Sequence, residues 1–381
     1  MKKYIILGLA FSSILASCKK EGCTDTAATN YNDRAEKDDN SCTYASGEPI
    51  PSYTIPTTYS FVNSSNQNTV DYPGQLDRLE QIRQIISKMD QATSSVINAQ
   101  DLKDMFSNVN GNGNGNFSFA STRQLKDKCF SLDQSLIESW MDSLAENSTH
   151  FSQSASNGQA GTLMVEGSLH LFSSKGVEYA EKIEKALMGA VQMYQALNVY
   201  FGSSKMDVDN SSAVDPANGL YYTIMEHSWD EAFGYFGVQS NFPQVVPQDL
   251  WGEYCNNQNS WGSNAAIMNN FLKGRAAISN KVLADRDGAI VEIRNAWEKI
   301  SAYQAMDYLN EAIVNIGNTG LFFHALTEAN GFVTNLKYAP EETRNVTQSE
   351  LSAILNKFGT NYWNLTLANL QAIKADLDAK Y

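Results

Sequence analysis

Histidine, cysteine and proline are scarce in this 381-residue chain, at four, five and eight residues. So few prolines leave long stretches without a helix breaker, and apolar periodicity can run uninterrupted. Basic residues are also few: 28 lysines and arginines stand against 42 acids, a net charge of −14. An acidic surface repels phosphate backbones and anionic headgroups, so nucleic acid is not expected as a partner. The chain has no His-Glu-x-x-His, no Gly-x-Ser-x-Gly and no glycine-rich phosphate loop. A hydrolase or nucleotide enzyme therefore has no positive support. No run of alternating strands stands out, and the apolar run from Tyr4 to Ala16 is too short for a permanent membrane span.

What is present begins at the N-terminus. Lys2 and Lys3 precede that apolar run, and Leu15-Ala16-Ser17-Cys18 follows it. A positive region, a short apolar region and small residues together make a secretory signal. The cysteine placed directly after Leu-Ala-Ser resembles the lipobox of bacterial lipoproteins, which implies cleavage before Cys18 and acylation of its thiol. Residues 1–17 are then the signal, 18–52 an acylated tether and 53–381 the body. The expected location is the outer membrane, lipid-anchored, at the periplasmic face or the cell surface. Cleavage removes two lysines and no acid, leaving 42 acidic and 26 basic residues and a net charge near −16.

Four cysteines remain beyond Cys18, an even number in an oxidising compartment. Cys23 and Cys42 flank one small module and are expected to pair. Cys129 and Cys255 form either a second disulfide or two buried thiols in a helical core. The module, from Gly22 to Tyr44, looks like a cysteine-bounded unit recurrent in envelope proteins of Bacteroidetes. Asp25, Asn30, Asp33, Asp38 and Asp39 offer oxygen ligands for Ca²⁺; the alternative is a plain acidic stalk.

The body reads as all-α, in two related bundles. Tyr53 to Gly74 is an extended lead-in segment. Leu76, Leu79, Ile82, Ile85, Ile86 and Met89 then recur at steps of three and four. Asn110 to Asn116 alternates Asn and Gly and reads as a flexible loop. Ser131-x-x-Gln134 predicts a capping box opening a helix through Leu132, Leu136, Trp140 and Leu144. Long helical patterns cover Glu178 to Tyr200 and Ala289 to Ile316. Thr347-x-x-Glu350 predicts a second capping box, and Leu365 to Leu377 a last helix.

Two of the four histidines sit in matching settings. His227-Ser-Trp-Asp230-Glu231-Ala-Phe-Gly234 and His324-Ala-Leu-Thr-Glu328-Ala-Asn-Gly331 both read His-x-x-x-Glu-Ala-x-Gly. Each follows a long helical pattern containing Glu-x5-Glu-Lys, which suggests an internal duplication. His and Glu four apart share a helix face. Two such helices facing each other would gather two nitrogens and two carboxylates, a set suited to Zn or Fe. The plainer reading makes each pair a helix contact worth a few tenths of a kcal/mol. Trp229, Phe233, Tyr235 and Phe236 either line a haem or organic pocket or form core. Arg275 either fixes an anion or pairs with a carboxylate at the core edge.

Four segments carry a wider resemblance: Tyr53-x-x-Pro-x-x-Tyr-x-Phe61, His227 to Gly237, Phe271-Leu-Lys-Gly-Arg-Ala-Ala-Ile278 and His324 to Phe332. On these the chain from about Tyr53 onward resembles an uncharacterised lipoprotein family of Bacteroidetes, domain-of-unknown-function family 4856. More distantly it is similar to imelysin-like proteins, envelope proteins with two related helical bundles and an association with iron uptake, some labelled as peptidases. Their motif, Gly-x-His-x-x-Glu, is met imperfectly: Asp230 replaces the acid after His227, Met225 replaces the glycine, and Thr327 stands three after His324. The resemblance implies a non-enzymatic, lipid-anchored binding protein for iron, haem or another metal, with His227, Asp230, Glu231, His324 and Glu328 as candidate ligands and an outer-membrane protein as a candidate partner. The alternatives are a scaffold lipoprotein without a small ligand and a metallopeptidase.

Overall fold

The computed structural model describes residues 53–247 and 249–381, with residues 20–22, 32, 34 and 35 of the N-terminal region. Cys18, the Cys23–Cys42 pair and the proposed Ca²⁺ ligands lie outside the described residues. The chain divides into two compact units, Met1–Thr54 and Ile55–Tyr381. The second unit contains everything that follows.

Its twelve described α-helices make the expected all-α body. The order is α1 Pro73–Asp90, α2 Ala99–Phe106 and α3 Gln134–Ser148, then a hairpin of β1 Gly161–Val165 and β2 Ser168–Phe172. Next come α4 Tyr179–Leu187, α5 Ser203–Met206, α6 Ile224–Phe236, α7 Leu250–Asn257 and α8 Ser263–Ser279. The chain ends with α9 Leu283–Val314, α10 Thr319–Asn335, α11 Gln348–Lys357 and α12 Leu367–Asp378. With 32 residues, α9 spans about 48 Å at 1.5 Å per residue. It forms a spine against which α8, α10, α12 and α7 pack. The continuation of α4 is π-helical, over Met188–Met193 and Gln195–Tyr200, and packs against α6 and α10.

The core is aromatic. Trp229, Trp251 and Trp297 are fully buried, with Phe236 edge-on to Trp297 at 4.8 Å and Trp251 edge-on to it at 5.5 Å. Phe233 stacks on Tyr59 at 3.7 Å, and Trp229 donates its indole N–H to the Phe271 carbonyl. The aromatic group around His227 is therefore core, and the haem-pocket reading of it is corrected. A Cβ on Gly274 would lie 2.1 Å from the Trp229 ring, so only glycine lets α8 approach there.

Several local expectations hold and others change. Thr347 and Glu350 form the predicted capping box, with each side chain bonded to the other's backbone N–H. Ser131 does not cap α3. Ser131–Asp133 is a 3₁₀ turn, and Gln134 spends its side-chain N–H on the Lys126 carbonyl. The buried face of α3 is correspondingly Ile137, Met141 and Leu144, leaving Leu132 78% exposed. The Asn-Gly loop is folded: Asn108 accepts from the Gly113 N–H, and Asn114 donates to Asp104. Its Asn and Gly residues supply the left-handed backbone that the turns need, at Asn108, Asn110, Gly111, Gly113, Asn114 and Gly115. Cys129 and Cys255 are both free and buried, so the second disulfide does not form. The β1–β2 hairpin departs from the all-helical pattern. Its Glu166-Gly167 turn has φ of 48° and 91°, the positive values that a two-residue turn requires.

Candidate metal centre

The histidine-bearing helices do not meet each other at their His and Glu residues; each meets a different helix. On α6, the His227 ring stacks on Tyr222 at 4.7 Å and lies 2.9 Å from the Asp71 carbonyl. Its other nitrogen is 3.8 Å from Glu231, which accepts from Gln75 at 3.0 Å. Asp230 points the other way, into the core. It accepts from Arg275 at 2.8 Å, from the Tyr59 hydroxyl at 2.7 Å and from the Asp71 backbone at 3.1 Å. Arg275 is fully buried and also donates to Glu226 and to the Thr69 carbonyl. Asp230 is thus the counter-ion of Arg275, and Arg275 binds carboxylates of its own chain.

On α10, His324 and Glu328 do share one face, and that face packs on α4. Contacts advance in step along the two helices: Glu178 with His324 and Thr327, Lys185 with Glu328, Gly189 with Asn335. His324 Nδ1 lies 2.9 Å from one oxygen of Glu178, and His170 Nδ1, arriving from β2, lies 2.6 Å from the other. An ionised carboxylate only accepts, so each imidazole presents an N–H to it. The rings are edge-to-face, 5.1 Å apart. Glu181, one turn along α4, completes the group. Ligand atoms of His170, Glu178, Glu181 and His324 all lie within 4.8 Å of one another.

Of the sequence-predicted ligands, only His324 takes part in this group. His227, Asp230 and Glu231 have the partners given above, and Glu328 forms the inner layer. Lys185, 1% exposed, contacts Glu184 at 2.7 Å, Glu328 at 3.0 Å and Glu181 at 3.1 Å. Glu328 faces Lys185 with one oxygen and also hydrogen-bonds Glu181. Burial pushes the Glu328 carboxyl well up, against the attraction of Lys185. Burial also works against charge on Glu181, yet Lys185 and a hydrogen bond with Glu328 overcome it and hold that carboxyl down. The hydrogen bond to Glu178 raises His170. For His324 burial opposes the charged form, but Glu178 outweighs it and the net shift is upward.

The site opens to one side through a cleft of about 240 Å³, with Asp90, His170, Glu178 and Glu181 on its walls among apolar residues. A group of two imidazoles and two carboxylates is a donor set for Zn²⁺, Mn²⁺ or Fe²⁺. Sequence reasoning missed His170, Glu178 and Glu181. The Glu178-x-x-Glu181 spacing places both acids on one side of a helix start, a legible signal. His170 had none, because it arrives through a hairpin.

The repeated motif also has a packing explanation. A Cβ on Gly234 would lie 2.8 Å from the Cβ of Gln75, and one on Gly331 2.6 Å from the Cβ of Lys185. In both copies the histidine meets an acid just before the partner helix, Asp71 before α1 and Glu178 before α4. The glycine seven residues on then lets the two backbones approach. The copies differ in register, since Gly234 meets a residue four after Asp71 and Gly331 one seven after Glu178.

Fold and site together define a helical-bundle protein with a half-buried imidazole–carboxylate cluster under a small hairpin. Residues 56–381 match the family described as Domain of unknown function (DUF4856), and the chain belongs to that family. No curated protein matches the chain, and no solved structure matches it.

Proposed function

We propose that this is a lipid-anchored, non-enzymatic envelope protein that binds one divalent transition-metal ion at His170, Glu178, Glu181 and His324, as an accessory to metal uptake. The observation that carries the reading is the convergence of four N and O donors within 4.8 Å, drawn from three separate elements.

The chemistry also favours a bare or hydrated ion as cargo over haem or an anionic chelate. A 240 Å³ cleft falls below the usual range of organic-ligand pockets, about 300–1,000 Å³. Asp90, Glu178 and Glu181 on its walls repel propionates and other carboxylates. The lipobox reading of Cys18 fits a binder, because a membrane tether raises local concentration beside a membrane partner. The imelysin-like resemblance points the same way.

The test is metal analysis of protein purified without chelator, followed by titration with Zn²⁺, Mn²⁺ and Fe²⁺. One ion per chain, a melting temperature that rises with added metal and loss of both in a His170→Ala/His324→Ala variant are expected. Metal-free protein whose melting is indifferent to all three ions sinks the reading and leaves a scaffold lipoprotein, in which Lys185 and the two histidines neutralise the acids by themselves.

A further inference from the structure

Three of the four proposed ligands sit on helices of the bundle, Glu178 and Glu181 at the start of α4 and His324 on α10. The fourth, His170, sits on the hairpin. Five residue pairs hold the hairpin's strands together, from Gly161 with Phe172 to Val165 with Ser168. A two-stranded hairpin is marginal in water by itself, so this one depends on what it touches. Its base is well anchored: Phe172 and Leu171 are buried, and the Thr162 backbone N–H bonds the Gln153 carbonyl. Its outer part is held through β1, where Val165 is buried and the Met164 carbonyl lies close against Gly320 of α10. The outer half of β2 is the freer strand: Leu169 is 48% exposed, and Ser168 and the Glu166-Gly167 turn are solvent-exposed.

Between base and tip, the polar tie to the bundle is the His170–Glu178 hydrogen bond. Ser168, Leu169, His170 and Leu171 of β2 also form one wall of the cleft, facing residues of α1, α3 and α4. Outward movement of β2 therefore widens the cleft and withdraws one ligand in a single motion.

We infer that the β1–β2 hairpin is the closing element of the metal site, clamped onto α4 and α10 when His170 joins Glu178, Glu181 and His324 around an ion. The ion replaces one hydrogen bond with a bridge between β2 and two helices, and loading is read out as ordering of residues 163–170. This rests on the binding reading above and adds the part of the fold that moves.

The experiment is hydrogen–deuterium exchange on the full mature chain, with and without saturating Zn²⁺, in the wild type and in His170→Ala. His170→Gln serves as a second variant that retains a hydrogen-bonding side chain. In the wild type, amides of residues 163–170 should exchange about tenfold more slowly with Zn²⁺. Both variants should bind Zn²⁺ at least about tenfold more weakly and lose the hairpin response, while amides of α10 around His324 still slow. Zn²⁺ binding that leaves hairpin exchange unchanged in the wild type overturns the clamp alone, whereas equal affinity in wild type and variants overturns the clamp and also removes His170 from the proposed ligand set. No Zn²⁺ binding by the wild type overturns both the clamp and the reading beneath it.

Discussion

Arg275 and Lys185 show how one buried cation organises its surroundings. Arg275 is fully buried between Asp230 and Glu226, its guanidinium also 4.9 Å from the Phe61 ring and bonded to the Thr69 carbonyl. It thereby pins the segment before α1 to α6 and α8. Replacing it with an apolar residue of similar length leaves two buried carboxylates without a counter-ion. Arg275→Met should cost about 3–5 kcal/mol, read as a lower urea midpoint. An unchanged midpoint would show that the two acids are satisfied by Tyr59, Ser279 and backbone alone. Lys185 differs in being outnumbered: Glu181, Glu184 and Glu328 surround one ammonium, with the Tyr254 ring 5.2 Å away. That surplus of acid beside two histidines is why the metal site is proposed at the α4–α10 contact rather than at the α1–α6 contact.

Among elements, the two His-x-x-x-Glu-Ala-x-Gly helices have a shared packing role and separate chemical ones. Close approach at Gly234 and Gly331 explains why both copies have a glycine where an alanine would be the better helix former. Gly331→Ala and Gly234→Ala should each destabilise by about 1–3 kcal/mol through overpacking, offset in part by about 1 kcal/mol of helix propensity. Gly288→Ala on α9 is the control, because a Cβ there meets nothing within 4 Å; it should be neutral or stabilising. Equal effects at all three positions in denaturant titrations would remove the close-approach account. The Glu-x5-Glu-Lys pattern diverges likewise. Its first copy builds the acidic cluster, whereas in the second Glu298 accepts from Tyr381 and from the Asn345 backbone, and Lys299 lies over Trp261 and Tyr303.

For the molecule as a whole, the thiols report on the core. Burial pushes Cys129 and Cys255 up to about 12, so neither has thiolate at neutral pH. Iodoacetamide at pH 8 should leave both unmodified in the folded protein and alkylate both after unfolding, as read by peptide mapping. A Cys129–Cys255 cross-link in that map would contradict two free, buried thiols. Among the described residues no helix is long and apolar enough to cross a membrane, which agrees with a body whose apolar faces are spent on one another.

Local pattern was enough for the helical class, for the boundaries of α1, α11 and α12 to within a few residues, for the existence of α9 though not its start, six residues earlier than Ala289, and for the pairing of His324 with Glu328 on one face. These follow from the 3.6-residue period and from capping chemistry, which involve residues close together in the chain. Tertiary packing alone decided which face of α3 is buried, that Asp230 serves Arg275 from 45 residues away, and that two cysteines 126 positions apart in the sequence stay unpaired. It also decided the composition of the candidate metal centre. Periodicity can place two side chains on one helix face, but it cannot say which other helix or strand that face meets. His170, Glu178 and His324 become neighbours only because a hairpin folds over the α4–α10 contact.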